Sequence, residues 1–148
     1  MISASGRMSQ CIEWIREARR ILLPVTILAP IPVTDLTGVK ARALLDTGSS
    51  VSGVASRTVS KLSLSRLGKR PLMSAQGEGQ VERLAFRMGF QPDAKPFDAP
   101  AFPFIFDEVI GIELTNAFEF DALLGMDILK RCSFEMRRDG YCRLEFGG

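Results

Sequence analysis

Histidine is absent from this sequence of 148 residues, and its absence excludes several kinds of active site. Ser-His-Asp and Cys-His catalysis, His-Glu-x-x-His metalloproteases and every zinc site that needs an imidazole require this side chain. Any catalysis by this chain must therefore use carboxylates, lysine, hydroxyl groups or cysteine.

Cysteine is scarce as well. The sequence has 3 cysteines, Cys11, Cys132 and Cys142, with no C-x-x-C spacing. An odd number without such spacing predicts neither a disulfide framework nor a thiolate metal site. Reduced thiols in a cytosolic protein are the interpretation that we favour.

The sequence also lacks a long hydrophobic run. Its longest apolar stretch, Ile21 to Val33, is interrupted by prolines and falls short of the about 20 residues that a spanning helix needs. Charged residues such as Glu13, Arg16 and Glu17 break any apolar core of a secretory signal near the N-terminus. We therefore expect a cytoplasmic protein without a membrane span.

An excess of positive charge is missing too. With 19 basic and 17 acidic side chains the net charge is +2, too small to predict nucleic acid as the main partner. Between Asp46 and Glu78 every charged residue is nonetheless basic: Arg57, Lys61, Arg66, Lys69 and Arg70. Because no aromatic residues interleave with them, we expect a solvated surface here, and a nucleic-acid groove is the weaker alternative.

The length suits one domain with a real core. Residues 1–20 stand apart as an N-terminal leader or a short helix over Ser9 to Arg20, with Ile12, Trp14 and Ile15 on one side. A capping or inhibitory segment is the alternative for this stretch. Residues 21–148 are predicted to form the domain.

Period-two patterns dominate the predicted domain. From Val39 to Leu45 small and apolar residues alternate with basic ones, which is typical of a half-buried strand. The glycine-rich stretch 74–80 precedes another alternating run at 83–90, which predicts the tip and return strand of a β-hairpin. From Ile21 onward the signals are therefore mostly those of strands.

A second hairpin is predicted at the C-terminus. A three-residue turn, Arg138 to Gly140, puts the apolar residues on one face and gives Gly140 the left-handed conformation. That register pairs Met136 with Cys142, Phe134 with Leu144 and Cys132 with Phe146.

The strongest chemical signal is the segment from Leu44 to Ser50, Leu-Leu-Asp-Thr-Gly-Ser-Ser. Read alone, Asp-Thr-Gly is compatible with an ordinary polar turn, since three residues often match by chance. A surface turn, however, needs neither a buried strand leading into it nor a cluster of hydroxyl groups after it. The context therefore favours a functional carboxylate at Asp46.

A second segment, Phe120 to Leu129, combines an apolar strand, Gly125 and the start of a short helix. Alone it predicts a strand-to-helix junction with Asp127 near the helix N-terminus. Together the two segments resemble the retropepsin family of aspartic proteases, which carry hydrophobic-hydrophobic-Asp-Thr/Ser-Gly-Ala/Ser and hydrophobic-hydrophobic-Gly motifs in this order. The resemblance is closer to the cellular and bacterial single-domain members.

The resemblance implies an all-β, single-domain acid protease fold: a closed, β-barrel-like lobe with a flap hairpin and one or two short helices. Leu123, Leu124 and Gly125 would pack behind the Asp46 loop and hold it rigid. The flap would lie over the substrate with its tip near Ala75 to Gln80. The substrate-binding residues implied are Ser49, Ala75, Gln76, Gly77, Glu78 and Gly79.

The resemblance further implies a homodimer, because the chain has one Asp-Thr-Gly and the chemistry needs two carboxylates. Each subunit would donate Asp46, and the pair would activate a water molecule without metal or cofactor. Thr47 would bond across the axis and Gly48 would give the substrate room, while Ser49 could bond the Asp46 carboxylate. The substrate would be a polypeptide bound in extended form.

Two positions depart from the retroviral pattern. Retroviral enzymes commonly pair an acidic residue after Asp-Thr-Gly with an arginine after the second glycine, and this chain has Ser50 and Met126 there. Because both partners are replaced together, no charge is left unpaired. An inactive dimerisation or peptide-binding module on the same fold is the alternative to an endopeptidase.

Overall fold

The computed structural model describes residues 9–74, 77–92 and 103–147. These ranges form mainly β-strands, with two short helices, α1 (Ser56–Leu62) and α2 (Met126–Leu129). The strands are β1 (Gln10–Ile15), β2 (Leu22–Leu28), β3 (Val39–Leu45), β4 (Gly53–Ala55), β5 (Arg66–Ser74), β6 (Gly77–Phe90), β7 (Phe104–Leu114), β8 (Ala122–Leu124), β9 (Ser133–Met136) and β10 (Tyr141–Phe146). Within the same ranges, neither helix has the length and hydropathy needed to cross a membrane.

The larger sheet closes on itself. Its strand order is β2-β3-β8-β4-β7-β6-β5, and β2 pairs additionally with β6. That extra pairing joins Ile27 to Met88 and turns the open order into a barrel-like ring from which the β5–β6 hairpin projects. The all-β, closed architecture expected from the sequence is confirmed.

Strand β3 shows why the alternation in the sequence predicts its place. Ala43 and Leu45 are buried in the core, whereas Lys40 and Arg42 are exposed. The strand pairs in parallel with β8, so that Leu45 lies beside Leu124. The half-buried strand predicted over Val39 to Leu45 is therefore confirmed.

The N-terminal helix prediction is wrong. Residues Gln10–Ile15 form strand β1, which pairs antiparallel with β10 and places Ile12 opposite Leu144. Ile12 is buried in the same core as the strands after Ile21. The apolar residues here fit a period of two as well as a helical stripe, and a partner strand from the far end of the chain decides between them. The boundary between residues 20 and 21 stays a prediction.

The C-terminal hairpin follows the predicted register. Met136 pairs with Cys142 and Phe134 with Leu144. Gly140 has φ +99°, the left-handed conformation expected from a three-residue turn. Cys132 precedes β9, and the three cysteines are free thiols.

The β5–β6 hairpin matches the predicted hairpin in position. Ser74 pairs with Gly77 at its outer end, and residues 77–79 are exposed there. The predicted tip residues Ala75 and Gln76 lie outside the described residues. At its other end β6 enters the core, where its apolar residues are fully buried: Leu84, Phe86, Met88 and Phe90.

One charged side chain, Arg87, is buried with that strand at 2% exposure. Its guanidinium donates to the carbonyl oxygens of Ala29 at 2.7 Å, Val33 at 3.0 Å, Pro32 at 3.3 Å and Asp35 at 2.6 Å. Several acceptors around one planar fork compensate the cost of burying its charge. Arg87 thereby fixes the connection between β2 and β3.

Candidate active site

Asp46 lies directly after β3, and its backbone N–H donates to the carbonyl oxygen of Leu124 at 3.0 Å. This bond continues the parallel pairing of β3 with β8 by one residue. The Asp46 carboxylate is half-buried and accepts a hydrogen bond from the N–H of Gly48 at 2.8 Å. The adjoining Thr47 and Gly48 are exposed. A carboxylate oriented by its own loop thus stands at an open face of the barrel.

The loop after Asp46 packs against Gly125. A Cβ atom added at Gly125 would lie 2.4 Å from the carbonyl oxygen of Val51 and 3.0 Å from that of Ser49. The neighbouring N–H of Met126 donates to the Ser49 carbonyl oxygen at 2.8 Å. Since real Cβ atoms do not approach backbone oxygen so closely, only glycine permits this contact.

Ser49 does not bond the Asp46 carboxylate as expected. Its hydroxyl donates to the carbonyl oxygen of Val51 at 2.7 Å, so it stabilises the turn of the loop instead. The expected contact is absent because a serine hydroxyl can instead bond the backbone carbonyl oxygen two residues further along the chain and so form a local turn. The positions of the missing charge pair, Ser50 and Met126, are both exposed.

Sequence reasoning missed a second carboxylate, Asp127, as part of this arrangement. Its Oδ1 accepts from the hydroxyl of Ser52 at 2.7 Å and its Oδ2 from the Ser52 N–H at 3.0 Å. The fully buried Ser52 hydroxyl in turn accepts from the N–H of Gly125 at 3.0 Å. The sequence feature that could have pointed to Asp127 is its position two residues after Gly125.

The fold that carries these residues has counterparts among solved structures. A retropepsin-like aspartic protease from Rickettsia conorii is similar over 95% of this chain and 93% of that chain, with a TM-score of 0.64 and 18% identity. The chain has the retropepsin-like fold. An EIAV protease complexed with the inhibitor HBY-793 is also similar, with a TM-score of 0.44 and 17% identity over 76% of this chain and 88% of that chain. No family model and no curated protein matches the sequence.

On this retropepsin-like fold, β3 and β8 both contribute to a small apolar cluster that includes a residue close to Asp46 in the chain. Leu44 precedes Asp46 by two residues, and Leu123 is its partner on β8. Because side chains alternate along a strand, both point away from the core that Leu45 and Leu124 fill. These two residues and their neighbours form the apolar floor, a cluster separate from the main core, in which Leu22, Phe120 and Leu123 are buried and Leu44 and Leu114 are half-buried.

Two of the five basic residues between Asp46 and Glu78, Arg57 and Arg66, form ion pairs within the fold. The guanidinium of Arg57 pairs with Asp121 at 2.8 Å. Arg66 donates to both carboxylate oxygens of Glu113 at 2.6 and 2.8 Å. Hydrogen bonds from Arg66, with help from the Ser56 hydroxyl, lower the pKa of Glu113 against the opposing effect of burial. Guanidinium groups engaged in this way are not free to contact phosphates.

Among the described residues, no group of three or more His, Cys, Asp or Glu side chains is placed to hold a metal ion. Burial raises the pKa of the Cys132 thiol to about 11, and burial also raises the pKa of the Cys142 thiol. Both thiols are therefore protonated at neutral pH and are poor nucleophiles. Asp46 therefore remains the candidate reactive group of this site.

Proposed function

We propose that this protein is an aspartic endopeptidase that works as a homodimer, with one Asp46 from each subunit. The observation that carries the proposal is the presentation of the Asp46 carboxylate at an exposed face by a loop tied to Leu124 and Gly125. A carboxylate needs such a rigid setting when it must lie a few ångströms from a second one.

Two copies of the chain are proposed because each chain has one Asp-Thr-Gly motif, whereas the chemistry needs two carboxylates. A symmetric interface places the same residue of each subunit on opposite sides of the axis, so two Asp46 side chains would meet there. The exposure of Thr47 and Gly48 leaves this surface free for the second copy. Thr47 would bond across the axis, and Gly48 would leave room for the substrate backbone.

The chemistry follows from two neighbouring carboxylates that share one proton, because two negative charges at so short a distance cannot both persist. The ionised Asp46 takes a proton from a water molecule, and the hydroxide formed attacks the carbonyl carbon of the scissile peptide bond. The protonated Asp46 donates to the carbonyl oxygen, and a proton then passes to the leaving nitrogen as the C–N bond breaks.

The substrate would lie extended between the Asp46 pair and the β5–β6 hairpin, acting as a flap. Gly77, Glu78 and Gly79 are exposed strand residues, able to offer backbone groups to a peptide strand. Ala75 and Gln76 remain proposed members of this surface, together with Ser49. Leu123, Leu124 and Gly125 are proposed to support the Asp46 loop.

Peptide cleavage across about pH 3 to 8 tests the proposal, with wild type, Asp46→Asn and the matched control Asp107→Asn. Asp107 is an exposed carboxylate on β7. We expect cleavage by wild type and Asp107→Asn, its loss in Asp46→Asn, and a dimer mass for the active protein in solution. Equal cleavage by Asp46→Asn, or activity from a strict monomer, contradicts the proposal. Binding of peptides without cleavage favours the inactive module.

A further inference from the structure

One side chain, Arg57 of α1, holds much of the loop that joins β7 to β8. Its Nε donates to Asp121 Oδ1 at 2.8 Å, and its Nη2 donates to the carbonyl oxygens of Phe120 at 2.9 Å and Phe118 at 3.3 Å. Its Nη1 reaches the carbonyl oxygen of Asn116 at 3.4 Å, and its backbone N–H donates to Asn116 Oδ1 at 2.8 Å. A planar guanidinium suits several fixed acceptors, and an ammonium does not.

The segment held in this way, residues 116–120, carries two aromatic rings beside the apolar floor. Phe120 belongs to that floor at 8% exposure. Phe118 stacks on Phe120, with 5.0 Å between ring centroids and 18° between ring planes, yet it remains 47% exposed. The pair therefore forms an aromatic wall whose outer ring is open to a ligand.

The end of the loop is fixed without Arg57. Asp121 and Arg42 share two hydrogen bonds: the Asp121 N–H donates to the Arg42 carbonyl oxygen at 2.9 Å, and the Arg42 N–H donates to Asp121 Oδ2 at 3.2 Å. The Ala55 N–H also donates to the Asp121 carbonyl oxygen at 2.8 Å. Strand β8 therefore keeps its place when Arg57 is changed, while the segment that carries the rings loses its main brace.

We propose that Arg57 is a positioning residue for substrate selection, which holds the Phe118–Phe120 wall against the apolar floor next to Asp46. The exposed outer ring of the wall, Phe118, backed by the floor, receives an apolar side chain of the substrate beside the bond that is cleaved. This inference rests on the proposed function for its readout. Arg57 itself acts through the loop and has no contact with the reacting atoms.

The test compares two peptides that differ only in carrying Phe or Ala beside the scissile bond. The variants are Arg57→Lys, Phe118→Ala, the double variant, and Arg137→Lys as a control that alters an Arg–Glu pair in the C-terminal β9–β10 hairpin. We expect Arg57→Lys to lower the Phe-over-Ala ratio of kcat/KM by about tenfold, through KM, with kcat for the Ala peptide kept. The double variant should differ little from Phe118→Ala, because both changes act on the same wall.

Peptide binding by the same variants in an Asp46→Asn background separates this inference from the proposed function. If wild type cleaves neither peptide but Arg57→Lys weakens binding of the Phe peptide selectively, the endopeptidase fails and the role of Arg57 stands. An unchanged Phe-over-Ala ratio in a folded Arg57→Lys protein, or an equal loss for both peptides, overturns the inference. If Arg57→Lys does not fold, an unchanged ratio in Phe118→Ala, whose ring is exposed, overturns it as well.

Discussion

The hydroxyl and the backbone N–H of Ser52 both donate to the carboxylate of Asp127, at 2.7 and 3.0 Å. Ser52 ends the loop that begins at Asp46, whereas Asp127 lies in the first turn of α2. Because the same hydroxyl accepts from the N–H of Gly125, one buried serine connects the Asp46 loop to the junction of β8 and α2. The Asp46 motif and the Gly125 motif are thus connected by hydrogen bonds within one chain.

The contact between Ser52 and Asp127 also relates to the acid–arginine pair that this chain lacks. Ser50 and Met126 occupy the positions at which retroviral enzymes commonly carry an acid and an arginine, and both are exposed here. The charge in this chain lies one residue further along, at Asp127, and is directed inward to Ser52. The Asp127 carboxylate is thus hydrogen-bonded within the subunit, whereas the exposed positions 50 and 126 carry uncharged side chains.

Ser52→Ala is expected to lower the free energy of unfolding by about 2 kcal/mol. The variant leaves the Asp127 carboxylate and the Gly125 N–H short of a partner in a buried place. We further expect kcat to fall with little change in KM, because the Asp46 loop loses its fixed position. Urea unfolding and peptide kinetics provide the two measurements. Ser133→Ala, at an exposed site on β9, is the control, and equal behaviour of the two variants would contradict the prediction.

Gly125→Ala is expected to destabilise the fold by about 2–3 kcal/mol. The added Cβ would lie 2.4 Å from the carbonyl oxygen of Val51, and a backbone oxygen cannot rotate away as a flexible side chain can. Thermal unfolding measures the effect. Gly79→Ala is a matched control for stability, since a Cβ there meets nothing within 4 Å. A melting temperature as high as that of Gly79→Ala would show that the loop moves to accept the added Cβ, and would contradict the prediction.

Local patterns predicted those parts of the fold that depend on neighbours close in sequence. The alternation from Val39 to Leu45 and the turn at Gly140 both carry their own signal, since side chains two residues apart must share a face. Gln10–Ile15 was predicted wrongly because its structure is set by pairing with β10, whose distant position in the chain no local pattern reveals. Tertiary pairing overrides weak local preference in such short segments.

The candidate site likewise has some residues that the sequence motifs predict and some contacts that only the folded chain shows. Asp46 and Gly125 stand out by motif, but the hydroxyl of Ser49 turned to Val51 and not to Asp46. The contacts of Arg57 with residues 116–121 join positions far apart in sequence. A basic residue gives no sign in the sequence of whether it faces solvent or carbonyl oxygens, so only the folded chain shows this brace.

Arg87→Met is expected to lower the free energy of unfolding by about 3 kcal/mol. The change removes hydrogen bonds to the carbonyl oxygens between Ala29 and Asp35 and leaves them without those donors. Urea unfolding tests the effect against Arg83→Met, an exposed arginine on the same strand. Amide hydrogen exchange should show faster opening of the β2–β3 connection in the Arg87 variant. Similar stabilities of the two variants would contradict a bracing role for Arg87.

The last prediction concerns acid and the base of the β5–β6 hairpin. Arg66 of β5 holds Glu113 of β7, and this hydrogen bonding lowers the pKa of Glu113 below its ordinary value of 4.5. A carboxylate whose pKa is lowered by folding stabilises the fold above its unfolded pKa and loses that contribution as the pH falls through the folded pKa. Glu113→Gln should therefore be less stable than wild type at neutral pH, and the difference should shrink below about pH 4.

Urea unfolding of wild type and Glu113→Gln at a series of pH values measures this difference. Asp107→Asn removes an exposed carboxylate from the same strand and controls for the change in net charge. A gap between wild type and Glu113→Gln that stays constant from neutral pH to about pH 3 would contradict the linkage. Because Arg66 lies on β5 and Glu113 on β7, the expected loss would loosen the proposed flap at its base as the pH falls.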